Sequence, residues 1–162
     1  IAGLLNRWLS RRANVVNAMQ IASARGLDVA EQHATRSGHM DSIRLTLETD
    51  QGVFAVEGAV VLDKPRLIQV GGIYCEVPLA GNLVYTRNAD VPGVIGHVGT
   101  VLGRNSINIA NFSLGRRDQP AAPGEPLDAL AVVQVDGAVP DSVLAELKEN
   151  PAVRVARAVA LD

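Results

Sequence analysis

The chain of 162 residues has one cysteine, Cys75. That excludes an internal disulfide and a CxxC-type metal site, and leaves the thiol as a small hydrophobe in a strand. Aromatic residues make up only 3% of the sequence, too few for platforms that stack bases or sugars. Neither sign of charge dominates. Fifteen Lys and Arg stand against seventeen Asp and Glu, a formal net charge of -2, so no polyanion and no nucleic acid is expected as a partner. No apolar run is long enough to span a bilayer. In the opening IAGLLNRWLSRR the arginines follow the apolar residues, the reverse of a secretory signal. The expected compartment is therefore the cytoplasm, with no membrane partner. A start at Ile1 reads as a chain cut from a longer parent. The nucleotide loops GxGxxG and GxxxxGK[ST] are both missing. The histidines, His33, His39 and His97, have no acid partner at a recognised spacing and read as surface residues. No catalytic residue, metal site or cofactor is expected within the chain.

What is present is a soluble, globular composition, 48% apolar and 20% charged, with room for one domain or two small ones. Leu4, Leu5, Trp8 and Leu9 share one face of an opening helix. Val15 to Ala24 reads as a second helix, closed by Arg25-Gly26. Leu27 to Ala34 reads as a short strand, followed by the polar loop HATRSGHMD. Ile43, Leu45, Leu47 and Thr49 alternate with polar residues, as in a half-buried strand. Asp50-Gln51-Gly52 turns it back into Val53 to Val61, and Asp63-Lys64-Pro65 breaks the run. Arg66 to Val70 and Ile73 to Val77 form another hairpin around Gly71-Gly72.

PLAGN, Pro78 to Asn82, marks a boundary, dividing the chain into residues 1–79 and 80–162. Beyond it the order is strand (Leu83 to Arg87), helix (Val94 to Leu102), strand (Ile107 to Leu114), strand (Leu127 to Val135), helix from Pro140, and strand (Val153 to Leu161). That is the ferredoxin-like βαββαβ unit, with an antiparallel sheet and both helices on one face. The fold class is α+β. An α/β-hairpin domain precedes the ferredoxin-like one. In the third strand of that unit Ala129, Ala131 and Val133 face one way, Leu130 and Val132 the other. The helices cover only one of those faces, so a second copy is expected to cover or pair with the remainder.

The stretch NADVPGVIGHVG, Asn88 to Gly99, carries the most information. Gly96, Gly99 and Gly103 fall on one helical face, and each costs about 1 kcal/mol relative to Ala. Close approach of another backbone, from this domain or a second subunit, would explain them. Pro92 suits a first helical turn, and Asp90 is placed to cap the helix. The same place suits a zwitterion. Free N–H groups from Gly93 onward attract a carboxylate, and Asp90 can hold an ammonium.

These residues carry a resemblance. NADVPGVIGHVGTVLGRNSINIANFSLGR is similar to the first strand-helix-strand of ACT domains, small regulatory modules that bind amino acids. In detail it resembles the C-terminal regulatory part of the D-3-phosphoglycerate dehydrogenase family. VNAMQIASARGL resembles a helix of that family's intervening, allosteric substrate-binding domain. The resemblance implies side-by-side pairing of ACT domains as a homodimer, with L-serine bound at the interface for feedback control. It implies serine contacts at Asn88, Asp90 and Asn108, with backbone N–H groups of Gly93 and Val94 facing the carboxylate. It implies an anion site in residues 1–79, for which Arg25, Arg36, Arg44, Lys64 and Arg66 are candidates, although scattered surface charge is the better reading of them. NAD chemistry would belong to the parent enzyme, outside this chain. Three alternatives stand beside this reading. One is the beta part of an L-serine dehydratase, which resembles the same domain pair. A ligand-free oligomerisation module is another. The third, an RNA-binding ferredoxin-like domain, needs aromatics on its central strands, where the second half offers only Tyr85 and Phe112.

Overall fold

The computed structural model describes residues 1–6, 9–10, 12–33, 41–120 and 123–161. Backbone contacts divide the chain into two units, Ile1–His39 and Met40–Asp162. In the first, α1 (Ala2–Leu5) and α2 (Ala18–Ala24) enclose a small core of Leu5, Ala13, Ala18 and Ala22. Asn6 ties the connection by accepting from the Ala13 N–H at 2.6 Å and donating to its carbonyl at 2.9 Å. The second helix starts three residues later than its apolar pattern suggests. The Asn14 side chain captures the N–H groups of Val16 and Asn17, holding Val15 to Asn17 in a turn. Its end is as expected. Gly26 has φ 74°, the Gly26 N–H bonds to the Ser23 carbonyl and the Leu27 N–H to that of Ala22, a Schellman motif. The strand expected from Leu27 is not formed over residues 27–33, which pair with no other strand, and Ala34 lies outside the described residues. So do Trp8 and His39.

The second unit holds two antiparallel sheets. The first runs β1 (Ser42–Thr49), β2 (Gly52–Val61), β3 (Lys64–Val70) and β4 (Ile73–Pro78) in sequential order. Leu62 and Asp63, with φ 50° and 61°, make the β2–β3 turn, so Lys64 and Pro65 begin a strand rather than break one. Proline at a strand start removes little from the ladder. Alternation in β1 is intact, with Leu45 opposite Val56 and Leu47 opposite Phe54, but the strand is not half-buried. All eight of its residues are exposed.

The second sheet has the order β6-β7-β5-β8, from β5 (Gly81–Ala89), β6 (Ile109–Arg116), β7 (Asp128–Val135) and β8 (Val153–Leu161). Helices α3 (Val94–Arg104) and α4 (Asp141–Leu147) lie on one face. Val98, Val101, Leu102, Val143 and Leu147 pack there on Val84, Ala131 and Val133. Each such side chain contributes about 1.5–3 kcal/mol when fully buried. This is the ferredoxin-like arrangement the periodicity predicts.

The chain itself contributes cover to the opposite face. Ile73, Cys75 and Val77 of β4 pack on Leu83, Leu130 and Val132, so the chain covers that face with its own strand. Gly115 is what allows the close crossing, since a Cβ there would collide with the Tyr74 carbonyl. Cys75 is buried in this seam, as a small hydrophobe should be.

Candidate functional site

β5 ends at Ala89, and the chain turns through Asp90 to Pro92 into α3. Gly93 is the N-cap, with φ 93°, a left-handed conformation that costs other residues heavily. No side chain caps the helix. Its first N–H groups therefore lack intrahelical acceptors and point outward at the positive end of the dipole. Asp90 is not the cap that its position suggests. Its Oδ2 lies 3.3 Å from Arg116 Nη1, and its N–H donates to the Leu127 carbonyl at 2.7 Å. An ion pair at the end of β6 has taken the carboxylate away from the helix.

Asn88 is 3% exposed, on the strand face that carries Val84 and Thr86 toward the helices. Its Nδ2 donates to the Ala89 carbonyl at 2.8 Å, while its Oδ1 is buried and accepts from no donor among the described residues. An unmet buried acceptor costs about 1–3 kcal/mol, so a donor is wanted here. Val94 is buried and contributes its backbone alone. Thus Asn88, Asp90, Gly93 and Val94 gather at one end of the sheet.

Asn108 is not with them. Across β7, Ile109 faces Val135 and Val135 faces Asn82, six residues of β5 away from Asn88, or roughly 20 Å. At that opposite end Asn108 is exposed and donates to Asp136 Oδ2 at 2.8 Å. The glycines of α3 are open as well. Beyond their own helical turn, no atom of the described residues lies within 4 Å of a Cβ built on Gly96, Gly99 or Gly103, so no other described backbone explains them.

Of the expected anion residues, Arg44, Lys64 and Arg66 lie on β1 and β3 of the second unit. Arg44 binds Glu57 through Nε at 2.9 Å and Nη2 at 2.6 Å. Arg66 Nε lies 3.9 Å from Glu76. Lys64 is exposed at a strand start, Arg25 is the C-cap residue of α2 in the first unit, and Arg36 lies outside the described residues. His97 is not a surface residue. It is half-buried, with Nε2 3.1 Å from the Leu147 carbonyl, linking α3 to the end of α4. His33 is exposed beside Glu31 at 3.0 Å.

One polar centre has no signal in local spacing. Asp128, 6% exposed, receives Arg87, Arg117 and Arg154. Burial alone would raise its carboxyl pKa, but the Arg87 hydrogen bond and the charges of Arg87, Arg154 and Arg117 outweigh it and hold it below the ordinary value of 3.8. Arg87 is 41 residues away in sequence and Arg154 is 26, so only the sheet order unites them.

Comparison with known proteins identifies the two parts of the chain. Residues 1–71 match the D-3-phosphoglycerate dehydrogenase intervening domain, and residues 83–152 match the ACT domain. The D-3-phosphoglycerate dehydrogenase of Methanocaldococcus jannaschii is 32% identical over 95% of this chain and 28% of its own length. That of Bacillus subtilis is 29% identical over 93% of this chain, again 28% of its own length. A probable L-serine dehydratase beta chain of B. subtilis is 26% identical over 85% of this chain and 60% of its own length. The chain thus spans little more than a quarter of the dehydrogenases it matches.

Proposed function

Because the chain belongs to the D-3-phosphoglycerate dehydrogenase family, of which it carries the intervening and ACT domains, we propose that it is the serine-sensing part of such an enzyme. In this reading the parent is a cytoplasmic, NAD-dependent dehydrogenase. L-Serine binding to this part feeds back on its activity.

The observation that carries the reading is the buried Oδ1 of Asn88, which has no donor among the described residues, beside the uncapped start of α3. A zwitterion meets both needs. Its ammonium donates to Asn88 Oδ1 and pairs with Asp90, exchanging with Arg116. The carboxylate accepts from the N–H groups of Gly93 and Val94. A homodimer supplies the rest. β6 is an edge strand, with one side of its ladder unpaired. Antiparallel pairing of β6 with a second copy about its midpoint would lay residue 109 opposite residue 116. Asn108 of the partner subunit would then arrive beside Arg116 and Asp90. The open glycine face of α3 would take the close approach such pairing brings.

A second reading has one observation in its favour. The chain covers a larger share of the dehydratase beta chain than of the dehydrogenases. The test is calorimetric titration of this chain with L-serine and D-serine, with light scattering. The expected result is saturable binding of L-serine, much weaker binding of D-serine, and a dimer. Absence of heat from a stable dimer would leave a ligand-free assembly module, and a monomer with and without serine would refute the shared site.

A further inference from the structure

We propose that Arg87, Arg117 and Arg154 form a binding pocket for a phosphate group, on the face of the sheet opposite its helices and separate from the start of α3. The three guanidiniums surround one carboxylate. Arg87 grips Asp128 Oδ2 through Nε at 2.8 Å and through Nη2. Arg154 Nη1 reaches Oδ1 at 3.2 Å. Arg117 brings Nε to 3.6 Å from Oδ2, while its Nη2 donates to the Gly71 carbonyl at 3.0 Å in the β3–β4 turn. Asp128 neutralises one of the three positive charges and Glu125, also in the lining, a second, which leaves the pocket with a net positive charge. Like charges held around one point repel, and the arrangement is satisfied by a second anion.

The geometry also suits that anion. The residues line a cavity of about 380 Å³ together with Gln119, Pro120, Glu125 and Pro126. That volume lies in the range of small-molecule pockets. The Arg87 Nη1 and the Arg154 Nε and Nη2 make no hydrogen bond to the described residues, so guanidinium donors remain for a ligand. Arginine presents planar, paired donors that match phosphate oxygens. Asp128 acts as a positioning residue that spreads the three side chains around the opening. Glu125, in the same lining, repels more highly charged anions most strongly. The ligand chemistry is a phosphate monoester or free phosphate, drawn by the remaining positive charge and matched in shape by the paired guanidinium donors.

The test is titration of this chain with inorganic phosphate and with 3-phosphoglycerate, followed by phosphorus NMR and calorimetry at low salt. Arg154→Gln and Arg117→Gln each remove one guanidinium while leaving the Arg87–Asp128 grip. Both should weaken binding about tenfold, and binding should fall as salt rises. Arg104→Gln, at the exposed end of α3, serves as control and should change nothing. If 3-phosphoglycerate binds much more tightly than phosphate, the occupant is a phosphorylated acid, and equal affinities assign the pocket to free phosphate. Binding of both weaker than about 10 mM, or unaltered by either variant, overturns the proposal. Thermal melting of each variant checks folding. L-Serine binding, read in the same samples, fails or survives independently.

Discussion

Arg116 Nη1 lies 3.3 Å from Asp90 Oδ2, so the carboxylate at the mouth of α3 already holds a cation. An incoming ammonium must compete with it. Half-exposed pairs of this kind are worth about 0.2–1 kcal/mol. Arg116→Ala should therefore tighten L-serine binding by up to about fivefold, whereas Asp90→Ala should remove most of it. Calorimetry on the two variants checks this. Equal affinity in both would show that Asp90 takes no part.

Two glycines should respond oppositely to the same substitution. Gly96→Ala, in open space on α3, should stabilise the monomeric chain by up to about 1 kcal/mol in urea unfolding. It should also weaken a dimer that packs on that face. Gly115→Ala drives a methyl into the Tyr74 carbonyl and should destabilise by about 1–3 kcal/mol or more. A neutral Gly115→Ala would mean that β4 does not cross there.

Cys75 should be inert to thiol reagents in the native state and react on unfolding. Burial pushes its pKa from 9.0 up to about 11. The folded chain keeps the proton while the unfolded chain loses it. Stability is thus fully present below pH 9.0 and declines toward about 11, by up to roughly 2–3 kcal/mol. Cys75→Ala should flatten that alkaline limb, read from melting temperature against pH. Rapid native labelling would contradict the burial.

Asp128 should govern the acid limb. Its folded pKa is depressed, so its contribution is present above the unfolded value near 3.8 and is lost as pH falls through the lower folded value. Asp128→Asn should cost about 1–3 kcal/mol at neutral pH, with the gap closing below pH 3.8. A pH-independent difference would assign the loss to packing instead.

Much of this was legible in the residues. A short apolar run in residues 127–135 and a 3.6 period from Val94 to Leu102 mark local elements, and the βαββαβ order follows from them. What escaped depends on distant partners. The exposure of β1 cannot be read from Ile43, Leu45 and Leu47, because alternation reports two faces and not what covers either. The Asp128 cluster joins β5, β7, β8 and a loop. Asp90 looks like a cap from its spacing, and only the end of β6 reveals Arg116. Asn88 was marked by the resemblance, but its unmet acceptor is visible only once its neighbours are in place.

The seam at β4 bears on how such chains are assembled from parts. The two family matches stop at residue 71 and resume at residue 83, leaving Ile73–Pro78 in neither. Yet Ile73, Cys75 and Val77 fill one side of the ACT sheet. A gene cut at the apparent border would release an ACT domain with a wet, apolar flank. Recombination that exchanges ACT domains between proteins must therefore carry this strand along, or find another that fits over Gly115.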